Sequence, residues 1–289
     1  MRKVLKWVGI GLGSLIVLAL IAGGSLAMIG RSKVNRAYPS PPLAALRTDD
    51  PAQVTRGRHV AIIHGCTGCH AENLAGTEFL DIPPGKIIAP NLTRGRGGVA
   101  SRYATAQDWD RAIRHGLRPD GRALLPFMPS ATFSRLGDTD AAALIAYLQQ
   151  LAPVDNELPA TQLRVPGYLM AAMLPLGEPA PPPAANRVTE PEPTAAYGQY
   201  LASHTCVECH GQDLLGGKHP GGRLGPSLAG AGRWTVDEFA RAVRQGEAPG
   251  GRRLDPDWMP WKHFAELNDV EVQALHAHLA TLPAVAPAR

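Results

Sequence analysis

At 289 residues the chain has room for one large domain or two of ordinary size, and 31 glycines with 27 prolines announce many loops. A net charge of +4 would suit a nucleic-acid partner, but residues 1–49 carry +6, residues 50–155 carry +1, residues 156–189 balance and residues 190–289 carry −3. The basicity gathers at the N-terminus, where it suits lipid headgroups, and no nucleic-acid footprint remains.

Arg2, Lys3 and Lys6 precede an uncharged run from Trp7 to Gly30. Its 24 residues would make a helix of about 36 Å, enough to cross a hydrocarbon core of about 30 Å. Residues 1–36 are therefore expected to be a single membrane anchor. A cleaved signal peptide is the competing reading, because Ser25-Leu26-Ala27 has the small-x-small form of a cleavage site. Against cleavage, the apolar run exceeds the usual 7–15 or so residues. Flanking charge does not orient the span, since Arg31, Lys33 and Arg36 balance the basic residues before it. Gly9, Gly11 and Gly13 have no strand–helix context and are not a nucleotide fingerprint.

Beyond the span the chain repeats itself. CTGCH at 66–70 matches CVECH at 206–210, followed by Leu74 and Gly76 in one copy and Leu214 and Gly216 in the other. Thr105, Ala112, Arg114 and Gly116 match Thr235, Ala242, Arg244 and Gly246; Asp138, Ala143, Leu144 and Leu148 match Asp269, Ala274, Leu275 and Leu279. The last two blocks keep offsets of 130 and 131, so two homologous domains are expected, at 50–155 and 194–289. In each, a first helix (about 56–66, then 194–206) leads into the cysteine motif, a middle helix covers about 105–116, and a last helix runs from about 138 to 151 with Asp138 or Thr139 as its N-cap. No run alternates with period two for long, and the expected fold class is all-α. The intervening 156–193, with Pro179, Pro181, Pro182 and Pro183, reads as an extended spacer. The stretch from Tyr168 to Leu174 inside it is apolar enough to dock on a neighbour.

All four cysteines fall in the two C-x-x-C-H motifs, the attachment signal for c-type haem. Thiols three residues apart on one helical turn can each add to a haem vinyl group, and the adjacent histidine then reaches the iron. Cys66, Cys69, Cys206 and Cys209 are thus expected to bind two haems covalently, with His70 and His210 as iron ligands. Zinc would need a second ligand pair in the same small unit, and a redox dithiol would need a βαβ pattern. For the sixth ligand, only Met128 and Met259 follow the motifs within the repeat, 58 and 49 residues after the histidine and each before a proline. Methionine opposite histidine raises the potential and suits electron transfer. His64 and His204 sit too near the motifs to reach across the haem plane; His115, His219, His263, His276 and His278 have no matched partner and read as ordinary polar residues.

The two repeats resemble class I cytochrome c domains over about 50–155 and 195–283. Ala89-Pro90-Asn91-Leu92-Thr93, the aromatic-bearing middle helix and Leu125-Pro126-Phe127-Met128-Pro129 look more narrowly like the multi-haem cytochrome subunits of bacterial membrane-bound alcohol and gluconate dehydrogenases, which have three haem domains where this chain has two. The resemblance implies that Pro90 and Pro226 orient the axial histidines through their carbonyls. The expected function is electron relay outside the cytoplasmic membrane, between a dehydrogenase or quinol-linked donor and an oxidase or soluble cytochrome. With both irons closed by His and Met, no small-molecule substrate or catalytic residue is expected. The rival is a dihaem enzyme such as a peroxidase or a thiosulfate dehydrogenase, which usually needs one open or unusual axial position.

Overall fold

The computed structural model describes residues 2–43, 45–177, 190–218 and 224–283. Pro179, Pro181, Pro182, Pro183 and His219 lie outside these. Helix α1 (Arg2–Asn35) contains the whole uncharged run and is the one described helix long and apolar enough to cross a membrane.

The first unit has α2 (Ala52–Ile63), the single-turn α3 (Cys66–His70), strands β1 (Thr77–Ile82) and β2 (Gly85–Ala89), α4 (Ala106–His115), α5 (Ser130–Phe133) and α6 (Asp138–Gln149). After β3 (Gln162–Leu163) and α7 (Val165–Met173), the second unit repeats the order with α8 (Ala195–Thr205), α9 (Val207–His210), α10 (Val236–Gln245), α11 (Trp261–Phe264) and α12 (Asp269–Leu279). In each unit the first and last helices cross at a glycine. A Cβ on Gly57 would come within 1.9 Å of the Ala143 carbonyl oxygen, and one on Gly198 within 1.8 Å of that of Ala274. Only glycine lets two backbones approach so closely, and the long helices of both units depend on it.

The middle helices start where side chains can satisfy their free N–H groups. Thr105 and Asp108 form a capping box on α4, as Thr235 and Glu238 do on α10, and Gly116 and Gly246 end both helices at φ of 64° and 70°. The expected N-cap of α6 is corrected: Gly137 holds that position, and Asp138 is drawn instead to the Arg114 guanidinium, 2.7 Å away.

Helices frame both units as expected, but the first adds an antiparallel sheet in the order β1-β2-β3, and the second pairs Gly217–Lys218 with Leu224–Gly225 and Glu247–Ala248 with Arg252–Arg253, none of which the alternation rule finds. The first unit's strands are short, and a register shift between Glu78 and Leu80 breaks the period-two pattern. The stretch expected as a spacer carries β3 and α7. β3 pairs with Gly85 and Lys86, and Ala171 of α7 joins Leu117, Ala123 and Leu176 in a small cluster beside the first unit's core.

Candidate functional site

Each haem motif forms one helical turn at the foot of its unit's first helix. Gly57 and Gly198 are 141 positions apart but Cys66 and Cys206 only 140, so the first unit has one extra residue before its motif. The chain absorbs it at Gly65, in the left-handed region at φ 71°.

His70 and His210 are buried. Their Nδ1–H groups donate to the carbonyl oxygens of Pro90 and Pro226 at 2.8 and 2.7 Å. That bond fixes the tautomer, leaving Nε2 with a bare lone pair, and Nε2 of neither ring has a hydrogen-bond partner among the described residues. Burial pushes both rings toward the neutral form that can ligate a metal, against the opposing pull of the proline carbonyls.

In the first unit Cys66 and Met128 pack on the same apolar cluster, built from Val60, Leu74, Trp109, Phe133 and Leu144 among others. In the second, Cys206 and Met259 pack together on the cluster of Tyr197, Leu201, Phe239, Phe264 and Leu275. In each unit a methionine and the first motif cysteine thus border one apolar cluster, and the second cysteine and an imidazole with a free nitrogen follow on the same helical turn. This donor set fits haem c in both. It does not suit the alternatives. The four cysteines form no disulfide, and burial pushes the Cys66 thiol up to about 12 and the Cys206 thiol to about 11, the reverse of a reactive thiolate. Among the described residues no three His, Cys, Asp or Glu side chains converge as a metal site.

Each attachment turn borders an interface between the two units that no periodicity in the sequence marks. Its contacts come in pairs related by the repeat. The Tyr200 hydroxyl donates to Asp140 at 2.6 Å, and His59 bonds Glu271 at 2.7 Å; Asp140 and Glu271 are equivalent positions of α6 and α12, as are His59 and Tyr200 of α2 and α8. Glu208, between the second pair of cysteines, bonds Thr132 beyond Met128. Gly68, between the first pair, lies against His263 beyond Met259, where a Cβ would stand 2.8 Å from its Nε2. Each motif therefore touches the helix that follows the other unit's methionine, as a pseudo-two-fold arrangement requires.

At the centre, the rings of His64 and His204 stack with centroids 4.6 Å apart, and His64 Nε2 lies 2.7 Å from His204 Nδ1. His64 Nδ1 must donate to the Val60 carbonyl at 2.7 Å, so its neutral ring accepts from His204 Nδ1–H. Burial favours the neutral form of both rings. Of the unmatched histidines, His276 bonds the Trp234 carbonyl at 2.7 Å, and His115 has a buried Nδ1 with no partner among the described residues. The interface residues had one sequence signal: acids at matched, otherwise apolar positions of the last helix in both copies.

Hydrogen bonding to Glu271 raises the His59 pKa, opposed by burial and aided by the charges of Glu271, Glu266 and Asp140; Arg56 and Arg58 lie on the same helix, paired to Asp140 and Glu266. A raised folded-state pKa stabilises below the unfolded value of about 6.5 and loses that contribution as pH rises through the folded pKa. We expect the melting-temperature difference between wild type and His59→Gln to be largest below about pH 6.5 and to shrink on the alkaline side. A pH-independent difference would show that His59 acts by packing alone.

Residues 54–152 match the family profile described as cytochrome c, and residues 193–279 that of cytochrome c oxidase, cbb3-type, subunit III. The chain is 28% identical to the fructose dehydrogenase cytochrome subunit of Gluconobacter japonicus, over 87% of this chain and 56% of that one. It is 30% identical to the cytochrome c subunit of the quinone-dependent alcohol dehydrogenase of Gluconacetobacter polyoxogenes, over 86% and 59%. A dihaem c-type cytochrome of Cereibacter sphaeroides is 26% identical, over 81% and 87%. The chain thus spans little more than half the length of the first two of these relatives.

Proposed function

The chain belongs to the cytochrome c family and carries two covalent haems, and from that premise we propose that it is a membrane-anchored relay passing electrons between its own two haem sites on the periplasmic side. The observation that carries the reading is that each attachment turn packs on the other unit: Gly68 lies against the second unit and Glu208 against the first. When bound, haem supplies a one-electron couple with no proton or bond change of its own. The protein's part is to hold each site rigid, dry and close to the other.

Cys66 and Cys69, and Cys206 and Cys209, are the attachment residues. His70 and His210, oriented by Pro90 and Pro226, would ligate the irons through Nε2. Met128 and Met259 would supply the second ligand of each iron. Each is followed by a proline that stiffens its loop, and thioether sulfur stabilises ferrous over ferric iron. With both positions so closed, no substrate would reach either iron, which suits an electron carrier and not an enzyme. Its relatives by name are cytochrome subunits of fructose and alcohol dehydrogenases. The donor proposed here is accordingly a membrane dehydrogenase or quinol-linked complex, and the acceptor an oxidase or a soluble cytochrome. Residues 1–36 anchor the chain, followed by haem domains at 50–155 and 194–289 joined through 156–193.

Met128→His in the dihaem protein tests the assignment. The potential of one haem should fall, half of the weak red-edge absorption from sulfur-to-ferric-iron ligation should vanish, and electron flow through the chain should slow. Met259→His should do the same at the other site. Unchanged potentials in either variant would show a different sixth ligand there, and rapid binding of carbon monoxide by the reduced wild type would favour an enzyme.

A further inference from the structure

Among the described residues outside α1, four large apolar side chains are more than a third exposed: Val165, Met170, Met173 and Val236. Three of the four are on α7. That helix lies in an uncharged run from Val165 to Gly177, between Arg164 and Glu178, and has no polar face to offer water. Its inner side is occupied: Gly167 sits under the Pro84 carbonyl and Ala171 is buried in the cluster beside the first unit. Its outer side presents Val165, the half-buried Leu169, Met170 and Met173, at the spacing of one helical stripe. A helix apolar on all sides must be covered on all sides.

The position of α7 says by what. Gly30, the last residue of the uncharged run, is pressed against it so closely that a Cβ would meet the Tyr168 carbonyl oxygen at 1.8 Å. One turn on, the Lys33 ammonium donates to the carbonyl oxygens of Ala172 and Leu174 at 2.9 and 2.7 Å, capping the end of α7. Gly23, Ala27, Gly30, Lys33 and Val34 form the shielded stripe of an otherwise exposed α1. So α7 is clamped where the apolar run of α1 gives way to Arg31, Lys33 and Arg36.

We propose that α7 is a second membrane contact, lying in the boundary between headgroups and acyl chains with Val165, Leu169, Met170 and Met173 turned to lipid. This rests on the reading of α1 as a membrane anchor, and the apolar stripe is continuous with that helix at its exit. Tyr168 and Tyr38 take the level where amphipathic rings gather, and Arg164, Arg31 and Arg36 the headgroup level. Two attachments also stop the first haem domain from pivoting about a single helix, which holds one face of it to the membrane.

The test uses full-length dihaem protein in phosphatidylcholine–phosphatidylglycerol vesicles. Thioether bonds consume the native cysteines, so Met173→Cys carries the only thiol for a nitroxide label. The readout is the ratio of its collision rates with oxygen and with a water-soluble nickel chelate. Val236→Cys provides a water reference and Leu18→Cys a bilayer reference; Met170→Cys repeats the measurement should Met173→Cys fail to fold. The expected ratio at Met173 is at least threefold that at Val236 and below that at Leu18. A ratio equal to that at Val236, with Leu18 lipid-like, overturns the proposal while the anchor stands. A label shielded from both reagents overturns it in favour of a protein cover, a partner or a second copy. A water-like Leu18 removes the anchor and this inference together.

Discussion

Cys66→Ala/Cys69→Ala should yield a chain with one covalent haem instead of two. Both thiols belong to the single turn of α3, and Cys66 borders the same apolar cluster as Met128. In the haem-loaded chain both sulfurs are neutral thioethers, so removing them costs no ion pair and little packing of their own. What disappears is the covalent tether, and with it the cofactor's share of the domain's core. Pyridine haemochrome should read one haem per chain, and haem staining after denaturing electrophoresis should halve. The retained haem should be the one held through His210 and Met259. Cys206→Ala/Cys209→Ala should give the mirror result, and two haems surviving in either variant would refute the attachment scheme.

Arg114→Met should be the most destabilising single change away from the haem ligands. The guanidinium lies in the first unit's interior beside Asp110 of its own helix; their side chains are 5% and 0% exposed. It also donates to the Leu136 carbonyl at 3.1 Å and to Asp138 at 2.7 Å, which ties α4 to the start of α6. The loop between those helices contains Met128, so this one side chain closes the loop that carries the proposed ligand. Removing it strands the Asp110 carboxylate, whose Oδ2 already has no partner among the described residues. Breaking a buried pair from one side costs about 3–5 kcal/mol, or at least about 10 °C of melting temperature for a domain of this size. Arg114→Met/Asp110→Leu should recover most of the loss, because no uncompensated charge remains. Arg244 makes the corresponding bonds to the Leu267 carbonyl and Asp269, both at 2.8 Å, without a buried acid beside it; Arg244→Met should cost clearly less. Equal losses at the two sites, by thermal melting of the dihaem protein, would argue against the buried-charge explanation.

Much of the proposed site was legible because its chemistry is local in the chain. The C-x-x-C-H spacing puts two thiols and an imidazole on one turn whatever the rest of the fold does, and the repeat then singles out Met128 and Met259 from six methionines. Thr105 and Thr235 announce their helices because a cap acts within four residues. The β1-β2 hairpin escaped because a bulge and two short strands erase alternation, although Pro83-Pro84-Gly85 marked its turn. The N-cap of α6 escaped because Asp138 had a competing partner in Arg114, remote in sequence.

By itself, then, the sequence determined the cofactor, its count and the helical frame of each domain, since these rest on covalent spacing and on contacts within a few residues. Only the tertiary structure decided how the domains face each other. The His64–His204 stack, Tyr200 on Asp140 and His59 on Glu271 join residues 60 to 212 positions apart. No periodicity encodes such meetings, because they depend on how whole helices pack. The same holds for α7: its composition showed only that it needed an apolar cover, and its seat beside Gly30 and Lys33 came from the folded arrangement of segments more than a hundred residues apart.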